Sequence, residues 1–474
     1  MTHAGPRQSA PGAHGAASPQ ESATGSDAPG ALPGAGTDPQ SGIRNPGSVW
    51  SHLGPGFIIT ATIVGSGELI VTPKLGADVG FILLWFIVLG CAVKVFVQIA
   101  LARAAIATRR TTLAALDTLP GPRLRVSWVV WLWLGMYAGL VFQVGGIVGG
   151  IASVFAEAGI GGSPRQWALP VGLSCALLLA SGRYATVERL STMMVVLFTL
   201  ATVGSLAVLQ GTPYAISAAQ IADGLRFALP DDFAVAFAAF GVIGVGASEL
   251  IYYPYWCLEK GYARHVGVPD GTPAWSARAD AWMRVMKVDA GLSLVLYTAI
   301  TIAFYLLGAA VLHARQADVS NAEMIHVLSL MFRESYGEWT LAVFLVGAFF
   351  VLYSTFFCAT AGNARLLADG LSVFRFARLD EEQRRRRVVR AASVGLALGS
   401  TVVYLVWPEP VTLVLIGATG QALMLPFLGW AAVLFNRRIR ELPTPWWESA
   451  GLVVSAVLMG LLGIYQLHGL VFRS

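Results

Sequence analysis

The chain has 474 residues, of which 55% are hydrophobic and only 12% are charged. Because soluble domains carry about 25% charged residues, this composition excludes an ordinary soluble protein and predicts an integral membrane protein. The net charge of +5 does not indicate nucleic-acid binding, since the basic residues fall in short loops between apolar runs. The four cysteines show no paired spacing, which excludes a predicted disulfide framework or zinc site.

The first element in chain order is a tail over residues 1–48, rich in Gly, Ala, Pro and Ser. It holds too few large apolar side chains to offset the entropy of ordering, so we expect a disordered tail. It lacks the basic start and apolar core of a signal peptide. The membrane domain is therefore predicted to occupy residues 49–474.

Eleven segments of this domain are candidate membrane-spanning helices, since a span needs about 20 mostly apolar residues. In chain order they cover 53–76, 80–106, 127–156, 167–181, 187–210, 233–258, 286–312, 338–362, 389–407, 411–435 and 447–469. The fourth is short and could be an oblique or interrupted helix. We therefore predict an all-α integral membrane protein.

Arginine-rich loops predict the orientation, because Lys and Arg accumulate in cytoplasmic loops. The loops after predicted helices 2, 8 and 10 are basic and would lie on one side, that of the N-terminus. Their arginines are Arg109, Arg110, Arg123, Arg125, Arg375, Arg378, Arg384–Arg387, Arg437, Arg438 and Arg440. The loop after predicted helix 5 carries Asp223, Asp231 and Asp232. We expect a cytoplasmic N-terminus and an extracytoplasmic C-terminus.

A decapeptide occurs twice, as VGSGELIVTP over Val64–Pro73 and VGASELIYYP over Val245–Pro254, with six identical positions. The copies lie on predicted helices 1 and 6, which cross the membrane in opposite directions and each begin a set of five. This pattern is typical of an inverted-topology repeat. We assign repeat one to about 53–210, repeat two to about 233–435, and an extra helix to 447–469.

Each copy places a glutamate after small residues and before a proline, which predicts an interrupted helix at the substrate site. A charge at the membrane centre costs about 2.5–3.5 kcal/mol on insertion scales, whereas helix capping contributes only about 0.3–1 kcal/mol. Two glutamates therefore favour substrate or ion binding, and a structural or gating role is the alternative. The candidate substrate- or metal-binding residues are Gly65, Ser66, Glu68, Gly246, Ser248 and Glu249, and the helix-break residues are Gly67 and Ala247.

One lysine complicates the charge of this site. Lys94 lies near the middle of predicted helix 2. It is a possible charge partner of one glutamate, but it could also reach the cavity alone or extend toward the membrane surface. The sequence leaves these three alternatives open.

Several motifs resemble the Nramp family of divalent-metal transporters, within the LeuT-fold superfamily, over nearly all of Leu53–Arg438. They are GPGF (Gly54–Phe57), GFILLWFIVLG (Gly80–Gly90), QIALAR (Gln98–Arg103), DGLRFALPDDFAVAFAAFGVIG (Asp223–Gly244), KVDAGLSL, YSTFFCATAGN (Tyr353–Asn363) and LMLPF (Leu423–Phe427). The resemblance implies a divergent Nramp-related branch with a LeuT-type five-plus-five inverted repeat, about 11 transmembrane helices, and helices 1 and 6 interrupted.

The ligand positions depart from the family pattern. Nramp metal transporters carry Asp-Pro-Gly-Asn in the first break, where this chain has Gly65–Glu68. In the second break, Met-Pro-His-Asn is replaced by Ser248–Ile251, which removes the metal-binding methionine. The remaining donors are carboxylate, hydroxyl and carbonyl oxygens, which suit hard cations such as Mg²⁺, Mn²⁺ or Ca²⁺.

The residues that the family uses for proton movement are also replaced. The acidic positions of helix 3 align with Met136, Gln143 and Gly146, none of which titrates. We therefore expect a secondary transporter or facilitator of a divalent cation, with Mg²⁺ or Mn²⁺ favoured, that works by alternating access without proton coupling. Lipid and a small inorganic cation are the expected partners, and we expect a monomer in the cell membrane with no cofactor.

The alternative function is transport of an organic solute, such as an amino acid or amine, between the same broken helices. Aromatic residues near the second glutamate could hold an organic cation, although packing or interfacial anchoring explains them as well. They are Tyr252, Tyr253, Tyr255 and Trp256. A receptor is disfavoured because no soluble domain is appended, and an enzyme is disfavoured because the histidines are scattered and no nucleophile motif occurs.

Overall fold

The computed structural model describes residues 43–47, 49–181, 184–230, 233–321, 323–337, 339–379 and 381–472. The tail predicted over 1–48 lies outside these residues, apart from 43–47. Secondary structure in the described residues is almost entirely helical. The exception is a short antiparallel pair between β1 (Arg123–Leu124) and β2 (Val126–Ser127).

The helices form an all-α bundle, as the composition predicts. In chain order they are α1 (Pro55–Ile63), α2 (Thr72–Val79), α3 (Leu84–Thr108), α4 (Thr112–Leu116), α5 (Trp128–Glu157), α6 (Pro164–Ser181), α7 (Tyr184–Leu209), α8 (Ala218–Gly224), α9 (Ala234–Val242), α10 (Ala247–Glu259), α11 (Tyr262–Val266), α12 (Pro273–Leu307), α13 (Met324–Tyr336), α14 (Thr340–Val373), α15 (Glu382–Val406), α16 (Pro410–Arg438) and α17 (Trp446–Phe472).

Among the described residues, eight helical stretches are long and apolar enough to cross a membrane by length and composition. The α9–α10 stretch, Ala234–Glu259, is one of them, and the stretch from Pro273 to Leu312 is another. Each of the eleven predicted segments contains helix, but the number of spans stays a prediction. The fourth segment is the continuous helix α6, with Pro170 inside it.

The first broken helix consists of α1 and α2. The helix α1 ends at Ile63, and Gly65 then takes the non-helical angles φ −159° and ψ −118°. A π-helical turn then covers Ser66–Val71, a rare geometry that often occurs at functional sites. The Gly67 carbonyl accepts both the Thr72 backbone amide and, at 2.9 Å, the Thr72 hydroxyl, which ties this turn to the start of α2.

The second broken helix consists of α9 and α10, which are separated by residues 243–246. Gly244 lies in the left-handed region with φ +59°, a conformation that glycine adopts without steric cost. A Cβ at this position would also lie 3.0 Å from the Tyr297 ring. The duplicated decapeptide therefore marks both interruptions, and the prediction of broken helices 1 and 6 is confirmed.

Five long helices enclose the two breaks. The helix α1 packs on α12 and α14, and α10 packs on α3 and α16. The helix α5 packs on α14 and α16, and α9 packs on α16. Side chains from α3, α5, α12, α14 and α16 can therefore reach the interruptions, which places the candidate site inside the bundle.

Candidate functional site

A small cavity of about 20 Å³ lies between the two breaks. Its wall includes backbone from both broken helices, at Gly67 and Gly244. The polar side chains that line it are Thr62, Gln143, Glu249, Thr355 and Gln421. Since a water molecule needs about 10–15 Å³ of such volume, the cavity has room for roughly one particle of that size.

Glu249 is the carboxylate of this cavity. Its Oε1 accepts a hydrogen bond from the Tyr252 hydroxyl at 3.1 Å. Its Oε2 is buried and has no hydrogen-bond partner among the described residues. Buried polar atoms are usually paired, so an unpaired carboxylate oxygen in a polar cavity indicates a place for a ligand.

Gly246 gives this carboxylate its space. A Cβ at Gly246 would lie 2.5 Å from Glu249 Oε2 and 2.6 Å from Gln421 Oε1. A larger residue would therefore displace both oxygens. The predicted site residue Gly246 thus contributes through the absence of a side chain, and it brings two oxygen acceptors near one point.

A chain of hydrogen bonds fixes the start of α10 against the neighbouring helices. The Ser248 amide donates to Gln421 Oε1 at 2.9 Å, and Gln421 Nε2 donates to Gln143 Oε1 at 2.8 Å. The Ser248 hydroxyl points to Asn363 Oδ1 on α14, at 2.7 Å. The Ser248 hydroxyl is therefore engaged with α14, and Ser248 is not among the cavity-lining residues.

Thr355 fills the space beside Gly65. A Cβ at Gly65 would lie only 1.8 Å from Thr355 Oγ1. This hydroxyl instead makes long hydrogen bonds to the carbonyl oxygens of Ala61 and Val64, both at 3.4 Å. A neutral hydroxyl from α14 therefore occupies the space into which a side chain at Gly65 would project.

Glu68 is fully buried and is not among the cavity-lining residues. Its Oε1 accepts a hydrogen bond from Thr301 Oγ1 on α12 at 2.6 Å, and its Oε2 has no hydrogen-bond partner among the described residues. The two predicted glutamates are close enough to interact electrostatically. They do not, however, line one common cavity.

Lys94 is also fully buried, and its ammonium contacts backbone carbonyl oxygens at the second break. Its ammonium donates to the carbonyl oxygens of Phe240 and, at 2.6 Å, of Ile243. No ion pair within 4 Å joins it to Glu68 or Glu249 in the described part of the chain. The lysine therefore binds the second break itself.

The remaining predicted residues have backbone roles. Gly67 lines the cavity, and a Cβ there would lie 3.1 Å from the Val242 carbonyl oxygen. Ala247 is the buried first residue of α10. Ser66 begins the π-helical turn, but its side chain lies outside the described part of the structure.

The aromatic residues of α10 are engaged elsewhere. The Tyr253 hydroxyl donates to Asp289 at 3.0 Å, and the Tyr255 hydroxyl donates to Asp369 at 2.5 Å. The Trp256 ring packs against a guanidinium group of α14. Only Tyr252 reaches the cavity carboxylate, so the described residues do not form an aromatic cage around it.

Sequence reasoning missed the polar residues contributed by the second repeat's later helices. Thr355, Asn363 and Gln421 stand out as polar residues within apolar spans, and the first two lie in the YSTFFCATAGN motif. That signal could have nominated them. No group of three or more His, Cys, Asp or Glu residues that could hold a metal ion occurs in the described residues. An ion in the cavity would therefore need neutral oxygen ligands besides Glu249.

Two broken helices carry a repeated sequence and pack around a small polar cavity in an all-helical bundle. This architecture is the LeuT fold. The sequence profile described as Natural resistance-associated macrophage protein-like matches residues 56–468, which is most of the chain. The chain belongs to the Nramp family, and the predicted resemblance is confirmed. Comparison with curated protein sequences gave no match.

Solved structures support the fold. The manganese transporter of Eremococcus coleocola, in complex with an aromatic bis-isothiourea substituted compound, aligns with a TM-score of 0.61 and 16% identity, over 92% of this chain and 90% of that one. MhsT in complex with L-phenylalanine aligns with a TM-score of 0.53 and 14% identity, over 86% of this chain and 97% of that one. At these identities the similarity shows the fold alone.

Proposed function

We propose that this protein moves a hard divalent cation, Mg²⁺ or Mn²⁺, across the membrane by alternating access, with Glu249 as the anionic ligand. The observation that carries the proposal is the unpaired Glu249 Oε2 in a small cavity between the two breaks. A buried carboxylate without a partner is costly, and a bound cation would remove that cost. Family membership and the manganese transporter among the similar structures support a metal as the substrate.

The donor chemistry supports a hard cation. Besides Glu249, the cavity presents the hydroxyls of Thr62 and Thr355 and the amides of Gln143 and Gln421. Oxygen ligands of this kind suit Mg²⁺ and Mn²⁺, whereas a soft thioether would favour later transition metals. Since the cavity has room for roughly one particle, the cation would be held there directly by Glu249 and these neutral oxygens.

The cavity also supports transport without proton coupling. Gln143, which lines it, replaces one of the family's acidic residues on helix 3, while Met136 and Gly146 replace the others. The one charged residue of α5 is Glu157, at its C-terminal end. A proton relay along α5 would therefore lack titratable groups near the cavity.

The alternative is an organic solute. MhsT, whose structure contains L-phenylalanine, has a similar fold, but a fold of this kind does not define a substrate. The cavity volume of about 20 Å³ and the engaged aromatic side chains of α10 favour the inorganic cation. The predicted cytoplasmic N-terminus, the extracytoplasmic C-terminus, the monomeric state and the absence of a cofactor form part of the same proposal.

Uptake into proteoliposomes tests this function. Wild-type protein is expected to accumulate Mn²⁺ or Mg²⁺, and Glu249→Gln is expected to reduce the initial rate by roughly tenfold to hundredfold. This range follows from the loss of a charge-assisted contact of about 1.5–3 kcal/mol, at about 1.4 kcal/mol per factor of ten. A pH dye inside the same vesicles is expected to record no metal-dependent acidification.

The matched control is Glu259→Gln, which changes a half-exposed glutamate at the other end of α10. It is expected to keep the wild-type rate. Full activity of Glu249→Gln would contradict the assigned ligand. Uptake of a labelled amine or amino acid in place of any metal would replace this function with the organic-solute alternative.

A further inference from the structure

The break in the second broken helix exposes backbone acceptors inside the membrane. The last carbonyl groups of a helix have no intrahelical partner. In a bilayer each such group must find a donor within the protein, because water is absent from the hydrocarbon core. The acceptors concerned here include the carbonyls of Phe240, in the last turn of α9, and Ile243, just beyond it.

The Lys94 ammonium lies at these acceptors. It donates to the Phe240 carbonyl and to the Ile243 carbonyl, the latter at 2.6 Å. The Phe240 ring covers another side of the ammonium, with its centroid 4.7 Å from Nζ, as in a cation–π contact. The helix dipole adds to this attraction, since the C-terminal end of α9 carries partial negative charge.

The surrounding charges also favour a cation at this point. The carboxylates of Glu68 and Glu249 both interact electrostatically with Lys94, although neither forms an ion pair with it within 4 Å. The thiol of Cys91, one turn earlier on α3, is the other titratable neighbour. The ammonium therefore lies at a helix C-terminus, with two acidic side chains within electrostatic range.

We infer that Lys94 is a tethered cation for the second break: its ammonium occupies the place that a soluble monovalent cation would otherwise need to fill. Lys94 is a positioning residue, since it holds the linker at Phe240–Gly244 and does not line the cavity. The break is consequently held in shape without a co-transported ion. The inference does not depend on the identity of the transported substrate.

Chemical rescue distinguishes a cation from a space-filling side chain. In Lys94→Ala the missing fragment corresponds to n-propylammonium, so this amine can refill the vacated space and charge. Lys94→Met fills most of the same space without a charge. Thermal stability in detergent is measured for wild type and both variants, with n-propylammonium, Na⁺, 1-propanol or choline added.

Both variants are expected to melt below wild type in choline buffer, because two buried carbonyls lose their donor. We expect n-propylammonium or Na⁺ to restore a substantial part of the loss in Lys94→Ala, and 1-propanol to restore none. Wild type and Lys94→Met are expected to respond to none of these additions. The measurement involves no transport, so its outcome is independent of the uptake assay.

Three results would overturn the inference. The first two are that Lys94→Ala in choline buffer, or Lys94→Met, is as stable as the wild-type protein. The third is that 1-propanol rescues Lys94→Ala as well as n-propylammonium does. If Lys94→Ala is not recovered in plain buffer, it is purified again with n-propylammonium present throughout. Folded protein obtained only with the amine supports the inference, and failure under both conditions counts against it.

Discussion

Replacing Gly65 by alanine is expected to be strongly destabilising, because α14 occupies the space into which the new methyl group would project. A Cβ at Gly65 would lie 1.8 Å from Thr355 Oγ1, 2.4 Å from its Cβ and 2.7 Å from its Cγ2. Three contacts below 3.0 Å on one side cannot be relieved by a single rotamer change. Either α14 or the first broken helix would have to move.

The size of the effect follows from that geometry. Ordinary contact begins at 3.4 Å, so Thr355 Oγ1 would have to retreat by about 1.6 Å. One added methylene in a well-packed interior typically costs about 1–3 kcal/mol. With this degree of overlap we expect Gly65→Ala to lose about 3 kcal/mol. Gly65→Asp, which adds a larger side chain at the same point, should lose more.

The assay is a double-mutant cycle in thermal or denaturant unfolding of the detergent-solubilised protein. Thr355→Gly removes all three contacting atoms, so Gly65→Ala/Thr355→Gly should be about 2 kcal/mol more stable than the sum of the single changes, within the usual range for residues in contact. Gly135→Ala on α5 is the matched control, because nothing lies within 4 Å of its added Cβ. It should be neutral or stabilising by up to about 1 kcal/mol.

The reasoning would be refuted if Gly65→Ala unfolded within about 0.5 kcal/mol of wild type, the range of an ordinary surface change. Strict additivity in the cycle would also refute it. In either case Thr355 would not be what fills the space beside Gly65.

Two further predictions concern buried hydrogen bonds. Asp289 on α12 accepts hydrogen bonds from the backbone amides of Gly54 and Gly56, at 3.0 and 2.6 Å, and from the Tyr253 hydroxyl. Asp289→Asn should therefore lose about 1.5–3 kcal/mol of stability in unfolding experiments. An unchanged melting temperature would show that these bonds do not hold the start of α1. Ser248→Ala should lose about 1–2 kcal/mol, because a buried amide oxygen of α14 loses its donor. Unfolding that matches wild type would show that this hydroxyl is not needed.

The two breaks could be predicted from sequence because their cause is local. Glycines and a following proline in each decapeptide disfavour continuous helix whatever surrounds them. The antiparallel direction of the two copies followed from counting apolar spans and basic loops. The π-helical geometry of Ser66–Val71 had no such signal, since it depends on how the turn packs between α1 and α2.

The direction of each glutamate could not be predicted in the same way. Glu68 and Glu249 occupy equivalent positions of the repeat, yet Glu249 lines the cavity and Glu68 turns toward Thr301 on α12. Equivalent backbone positions in an inverted repeat meet different neighbouring helices. Which neighbour offers a donor is a tertiary property that a local pattern does not contain.

The partners of Lys94 could not be predicted from sequence for a related reason. Sequence reasoning looks for an opposite charge, whereas the ammonium binds the carbonyls of Phe240 and Ile243. Backbone acceptors have no residue signature, because every residue carries one. Backbone carbonyls become available as acceptors only where a helix ends, so the predicted break indicates where a lysine could find them.

The central claim is that the cavity beside Glu249 holds the transported cation. Locating Mn²⁺ by anomalous diffraction in crystals of the wild-type protein tests it most directly. The account predicts an anomalous peak within metal–oxygen coordination distance of Glu249 Oε2, and its loss in Glu249→Gln. A peak beside Glu68 instead, or a peak that survives in Glu249→Gln, would contradict it.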